Sequence, residues 1–306
     1  MEVRPIRPGE ETAAAELVYR LTRGRVPTGR ELSDFVKQAE ILGTDPALQS
    51  VAVTTAGAIV GCAMFFPMID RTATVSPPMC VPPYDRVEVK VALVQALRPL
   101  AASRGVLMLQ ACCDVDDAAA EEVLTRGDFE FLATMLFMER GATRSGPKCQ
   151  SDNRIRWVEY TAERHADFAQ FIERSYEGTL DCARLGEFRD VNLTLESYRE
   201  RGSFDPSLWL LGEIDGAPAA AILMIPQAES KTCELAYMAV SPEFRGKGLG
   251  RKVMEKGLSE VASRADGATM SLVVDEANTP AVRLYRAFDF SVTDRRRVFF
   301  TLLATS

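Results

Sequence analysis

The feature that most restricts this chain is that it repeats itself. Val51 to Pro67, VAVTTAGAIVGCAMFFP, aligns with Leu210 to Pro226, LLGEIDGAPAAAILMIP, at a shift of 159 (216 − 57 for the glycines, 226 − 67 for the prolines). Each stretch reads as strand, glycine turn, strand, which is a hairpin. A longer block, Leu97 to Phe129 against Leu258 to Phe290, aligns without gaps at a shift of 161 (258 − 97, 290 − 129). It pairs Ala101 with Ala262, Asp114 with Asp275, and Asp128-Phe129 with Asp289-Phe290. Two separate blocks at nearly one shift argue against chance likeness between alanine- and leucine-rich helices, and predict two copies of one fold. A chain of 306 residues has room for two domains of about 150 residues each.

The second copy carries the strongest chemical signal, Leu235 to Lys256, LAYMAVSPEFRGKGLGRKVMEK. An apolar run to Val240 reads as a buried strand, Ser241-Pro242-Glu243-Phe244 breaks it, and Arg245-Gly246-Lys247-Gly248-Leu249-Gly250 is a glycine-rich turn. Leu249, Val253 and Leu258 then return at helical spacing. A strand passing through a glycine turn into a helix aims several amides and the positive end of the helix dipole at one point, an anion site. Arg245, Lys247, Arg251 and Lys252 around it favour a polyanion. The dinucleotide fingerprint fails because the third glycine comes too early, and the Walker pattern is absent.

The pattern that fits is R-x-x-G-x-G, as Arg245, Gly248 and Gly250, behind the lead-in Val240-x-Pro242-Glu243-Phe244. This resembles the pyrophosphate-binding motif of the GCN5-related N-acetyltransferases (GNAT). The likeness is detailed over Leu235 to Phe290 and looser back to Arg156, where a β-α-α-β-β-β-α-β-α-β-β order is readable. Its elements are a strand at 157–160, a helix at 162–176 capped by Thr161, an irregular acidic segment at 178–190 and a helix at 193–201. After the hairpin come strands at 233–240 and 269–274, a helix at 280–287, and two last strands at 290–292 and 298–303. The resemblance implies an α/β chain of two tandem GNAT-like domains, each a mixed, mostly antiparallel sheet flanked by helices. The boundaries expected are 1–145 for a degenerate copy, 146–154 for a linker, and 155–306 for the catalytic copy.

What the resemblance implies chemically is acetyl transfer from acetyl-CoA, as co-substrate, to a primary amine by direct attack in a ternary complex. Arg245, Gly246, Lys247, Gly248, Leu249, Gly250 and Arg251 would wrap the pyrophosphate. The backbones of Met238, Ala239 and Val240 would hold the pantetheine arm, an N–H at or beside Met238 serving as oxyanion donor. Glu234, six residues before Val240, matches the family's general base; a solvated strand-end carboxylate is the other reading. Tyr285, in Asn278-x-x-Ala281-x-x-x-Tyr285, matches the tyrosine that protonates the thiolate, against the alternative of a packed helix tyrosine. Asn278 would bond the pantetheine or cap the helix. One departure is Asp289 where the family has glycine.

In the first copy the same shift sets Tyr84, Val87 and Val89 on Arg245, Gly248 and Gly250, within VPPYDRVEVKVALVQAL, and Leu124 on Tyr285. Valine side chains block close backbone approach to phosphate, and Asp85 and Glu88 repel it. A single site per chain is therefore expected, the first copy serving packing or shaping the acceptor pocket. Asp181 and Glu187, with Asp190, lie in the segment that lines the acceptor side in this fold and would favour a cationic amine, as a solvated loop would equally explain. The two-copy layout and Phe204-Asp205-Pro206 also resemble the mycothiol synthases, an alternative small-molecule acetyltransferase reading. A non-catalytic acyl-CoA sensor is the alternative of another class.

Composition sets the outer bounds. A net charge of −7 argues against nucleic-acid binding by general electrostatics. No run of about 18 apolar residues exists, so no membrane span is expected. The N-terminus has no apolar signal core, and seven scattered cysteines read as free thiols, so a cytoplasmic protein is expected. With His165 the sole histidine, no metal centre or Ser-His-Asp triad is expected. The partner is then a small-molecule or peptide amine, with homodimerisation left open.

Overall fold

The computed structural model describes residues 1–41, 44–45, 47–141, 154–188, 190–227, 230–264 and 269–303, the side chains at 40–41, 186–188 and 264 excepted. Most of the expected linker, and with it Cys149, lies outside the described residues. The chain divides into two compact units, Met1–Leu132 with Arg297–Ser306, and Ala133–Arg296.

The first unit runs β1 (Glu2–Pro5), α1 (Glu11–Arg23), α2 (Gly29–Ile41), β2 (Gln49–Val53), β3 (Ile59–Pro67), β4 (Thr72–Val75), β5 (Met79–Cys80), α3 (Val87–Ser103), β6 (Met108–Asp114), α4 (Ala118–Arg126) and the start of β7 (Glu130–Arg140). Its sheet is ordered β1-β2-β3-β4-β6, and β5 adds to β3. The hairpin β2–β3 is antiparallel, whereas β4 and β6 are parallel, with Thr72 opposite Met108. Phe65, Leu93, Leu97, Leu109 and Phe299 fill one core. Each such side chain contributes about 1.5–3 kcal/mol by leaving water.

The second unit contains the remainder of β7 and then β8 (Ile155–Glu159), α5 (His165–Ser175), α6 (Val191–Glu200), β9 (Trp209–Ile214), β10 (Ala217–Gln227), β11 (Thr232–Val240), α7 (Leu249–Arg264), β12 (Thr269–Asp275), α8 (Thr279–Arg286) and β13 (Ser291–Leu302) up to Arg296. Sheet order is β13-β7-β12-β11-β10-β9-β8. On one face α7 and α8 cover Ile222, Met224, Leu235, Leu272 and Val274. On the other, α5 and α6 cover Trp209, Leu211, Ala221 and Leu223 with Phe168 and Leu195. At Gly257 a β-carbon would stand 2.4 Å from Ile222 Cδ1, so a larger residue there would force that buried side chain to move where α7 packs on β10.

The repeat is visible element by element. The starts of β6 and β12, of α4 and α8, and of β7 and β13 are each 161 residues apart (269 − 108, 279 − 118, 291 − 130). Asp128 and Asp289 take equivalent left-handed turns, φ 66° and 64°. Aspartate tolerates that conformation better than most residues, so the missing glycine leaves the turn intact.

Three local expectations are corrected. Thr161 makes no side-chain cap; residues 162–164 form a 3-10 turn before α5 begins at His165. Asp190, expected either to line the acceptor side or to sit in a solvated loop, caps α6 by accepting from the N–H of Asn192 and Leu193. The two last strands are one twelve-residue strand. The Asp294-Arg295-Arg296-Arg297 run between the two expected strands lies within it, with Arg295 paired to Glu276 and Arg297 to Glu121.

Candidate active site

β11 decides the site. It pairs in parallel with β12 only from Thr232 to Leu235, and beyond that β12 pairs with β7 on its other side through Asp275. β11 itself continues to Val240 against β10. The two strands therefore part after Leu235 and leave a gap along Ala236 to Val240. Within that stretch Ala236 is bulged, because Leu223 and Met224 face Tyr237 and Leu235. The bulge shifts the side-chain alternation. Leu235, Met238 and Val240 pack toward α7, whereas Tyr237 and Ala239 pack toward α5. Glu234, next to buried Leu235, shares the α5-side face.

Backbone direction follows from the same ladder. Ser241 donates its N–H to Ala219 O, so by alternation the N–H groups of Met238 and Val240 turn away from β10, into the gap.

The turn that follows is built for an anion. Gly246 and Gly248 sit at φ 73° and 81°, and a β-carbon at either would meet nothing within 4 Å. Among the described residues, the N–H groups of Gly246, Lys247, Gly248, Leu249 and Gly250 have no protein acceptor. A row of unpaired amides leading into the first turn of α7 is an oxyanion nest with the helix dipole behind it. Gly250 lies against Leu284 and Met238, tying the nest to α8 and β11. This arrangement fits a diphosphate at the turn and an extended arm in the gap.

The Arg245 side chain is engaged by backbone carbonyls. Its Nε donates to Val240 O at 3.2 Å, Nη1 to Glu177 O at 2.6 Å and Gly178 O at 3.2 Å, and Nη2 to Ser175 O at 2.7 Å. The guanidinium thus caps the end of α5 and holds the turn in place, while the backbone beyond it faces the nest. Arg251 reaches Glu255 at 3.2 Å and lies over the Phe288 ring, and Lys252 also pairs with Glu255. Lys247 is exposed beside the Phe244 ring.

Tyr285 is buried on α8 against Phe290, at 5.9 Å between ring centroids. Burial, with Asp181 adding to it, pushes its hydroxyl well above the ordinary tyrosine range, so it stays protonated. Among the described residues the hydroxyl has no hydrogen-bond partner. Asn278 takes the capping role, accepting from Ala281 N at 3.3 Å. Glu234 is partly exposed and pairs with Arg201 at 3.3 Å.

Asp181 serves the loop after α5 more than open solvent. Its carboxylate accepts from Asp275 N at 3.0 Å, and the Asp275 carboxylate accepts from Cys182 N at 3.2 Å. This reciprocal clamp fastens the loop to the end of β12 beside α8. The Glu187 side chain lies outside the described residues. Unforeseen are Asp275, although the repeat had paired it with Asp114, and the Tyr237 hydroxyl bonded to Ser175. In the first copy, α3 begins at Val87 where the nest would be; Val89 is buried, and Asp85 at the helix start pairs with Lys90 at 2.6 Å. A carboxylate and packed valines stand where the second copy offers amides.

Residues 171–290 match the acetyltransferase (GNAT) family. A mycothiol acetyltransferase of Kineococcus radiotolerans is 41% identical over 101 residues, 32% of this chain and 32% of that protein, so the chain matches about a third of the length of such relatives. An uncharacterised N-acetyltransferase of Archaeoglobus fulgidus is 31% identical over 128 residues, 40% of this chain and 84% of that protein. A tandem GNAT protein from the clavulanic acid biosynthesis pathway shares the fold, with TM-score 0.56, 16% identity, and coverage of 100% of this chain and 99% of that one. With the parted strands and glycine turn of its second copy, the chain belongs to the GNAT acetyltransferase family.

Proposed function

We propose that the chain is an acetyl-CoA-dependent N-acetyltransferase acting on a primary amine, with its active site in the second unit. The row of unpartnered amides at 246–250, just beyond the stretch of β11 that runs free of β12, is the observation that carries this reading. Bound acetyl-CoA would supply a thioester whose carbonyl carbon accepts the amine. The amides of Gly246 to Gly250 hold the diphosphate, and Lys247 and Arg251 add positive charge. Met238 N–H, aimed into the gap, stabilises the carbonyl oxygen as charge grows on it. Glu234 takes the proton of the amine, and Tyr285 Oη holds the proton that the departing sulfur needs. The C–N bond forms as the C–S bond breaks; Tyr285 gives its proton to the thiolate and is left as tyrosinate, and the proton taken up by Glu234 returns by way of solvent to restore both groups.

The likeness to the mycothiol acetyltransferases supports a small-molecule amine as acceptor, and we take that as the narrower reading. Thiol release over a panel of amines, with Tyr285→Phe and Glu234→Gln beside the wild type, tests the proposal. Expected is amine-dependent thiol release that both substitutions slow by about 100-fold or more. Tight coenzyme A binding without thiol release from any amine class would instead favour an acyl-CoA sensor.

A further inference from the structure

The reaction needs a seat for the acceptor beside the gap, and the two faces of the sheet there differ. On the α7–α8 face the strands bury Leu235, Leu272 and Val274. On the opposite face α5 and α6 cover β8 to β11, and the Asp181–Cys182 loop covers the Asp275 and Met135 row of β12 and β7; among the described residues the rows between are left exposed. There Val273 on β12 and Phe137 on β7 are register partners, 44% and 37% exposed. Single exposed apolar side chains are ordinary. These two are cross-strand neighbours, and the first lies on the strand that borders the gap. The adjoining row on this face is Glu234, Ser271 and Glu139, read across three strands in register. Strands lie about 4.8 Å apart, so the two glutamates flank Ser271 at roughly 10 Å between their α-carbons.

We propose that this exposed part of the face is the acceptor platform, with Phe137 and Val273 taking a ring or other flat apolar body while Glu234 and Glu139 draw its ammonium group to the gap. The inference rests on the acetyl-transfer reading of the second unit and names its substrate class: a cationic primary amine carried on a flat apolar body. Carboxylates on the row beside the apolar pair attract the ammonium form. One of them, Glu234, is also the residue placed to remove its proton. Phe137 and Glu139 both come from β7, a strand encoded in the first copy of the repeat. That copy, which lacks a nest, thus contributes half of the surface that reads the acceptor.

The probe is a coenzyme A conjugate whose sulfur is joined through a methylene-carbonyl bridge to phenethylamine. A second conjugate carries ethanolamine, and free coenzyme A is the reference. Each is titrated calorimetrically into the full chain. The ring-bearing conjugate should bind at least about tenfold tighter than the ethanolamine conjugate, and Phe137→Ala should erase the difference while coenzyme A affinity stays put. Phe137 is half-exposed, so its truncation opens no cavity; Val273→Ser on the neighbouring strand is the second variant. Equal affinity of the two conjugates, or a ring preference that survives both substitutions, would overturn the platform and leave the donor site standing. Failure of coenzyme A itself to bind would overturn the donor-site reading and this one with it.

Discussion

Gly248→Val puts into the second copy the residue that stands at the equivalent place, Val87, in the first. The added β-carbon would meet no protein atom within 4 Å, so the fold loses only the strain of a branched side chain at φ 81°. That strain is about 1–3 kcal/mol, or roughly 2–10 °C in melting temperature for a chain of this size. Binding loses more. An isopropyl group in front of the nest displaces the anion from at least two amides, each worth about 1.5–3 kcal/mol when the acceptor is charged. The sum is about 3–6 kcal/mol, a loss of at least about 100-fold in affinity. Gly57→Val is the matched control: φ is 85°, the space is equally open, and the position is the β2–β3 turn. Calorimetry with coenzyme A and a melting curve for each variant decide the matter. Both should lose similar stability, and only Gly248→Val should lose coenzyme A. Wild-type affinity in Gly248→Val would refute the nest.

Arg245→Lys should behave nearly as Arg245→Ala, because one ammonium cannot serve four carbonyls around a planar fork; the check is faster amide exchange at 175–180 together with weaker coenzyme A binding. Tyr285→Phe should cut kcat by about 100-fold or more with coenzyme A affinity unchanged. Since the wild-type hydroxyl titrates above the ordinary range, the alkaline limb of the rate profile should show no loss of this acid near pH 10. Burial pushes Glu213 up, but hydrogen bonds from Arg156 and Arg164 outweigh it and hold its carboxyl below the ordinary range. Its folded pKa is depressed, so its stabilisation is present above the unfolded value and lost as pH falls through the folded one. Glu213→Gln should lower stability at pH 7 and flatten the acid limb in pH-dependent melting.

How much of this was legible beforehand depended on how local the cause was. The strand, glycine turn and helix at 235–256 are dictated by neighbours in sequence, and the structure places them as read. The repeat likewise survived because both copies keep their element spacing. The bulge at Ala236 was invisible, since it exists only through pairing with Leu223 and Met224. Yet that bulge sets Glu234 and Tyr237 on one face. The hydrogen bonds of the Arg245 guanidinium were out of reach for a similar reason: three of its carbonyl partners come from a helix end some 70 residues earlier. Asp181 carries the charge that was noticed, but its hydrogen bond to Asp275 N, 94 residues on, turns it into a fastening for a loop. Phe137 and Glu139 gave no signal at all, being remote in sequence from every motif they lie beside.

The most direct test is the stoichiometry of coenzyme A binding to the full chain by titration calorimetry. We predict one molecule per chain, abolished by Gly248→Val and untouched by Val87→Gly. No binding would contradict a donor site at the second glycine turn, and two molecules per chain would contradict its loss from the first copy.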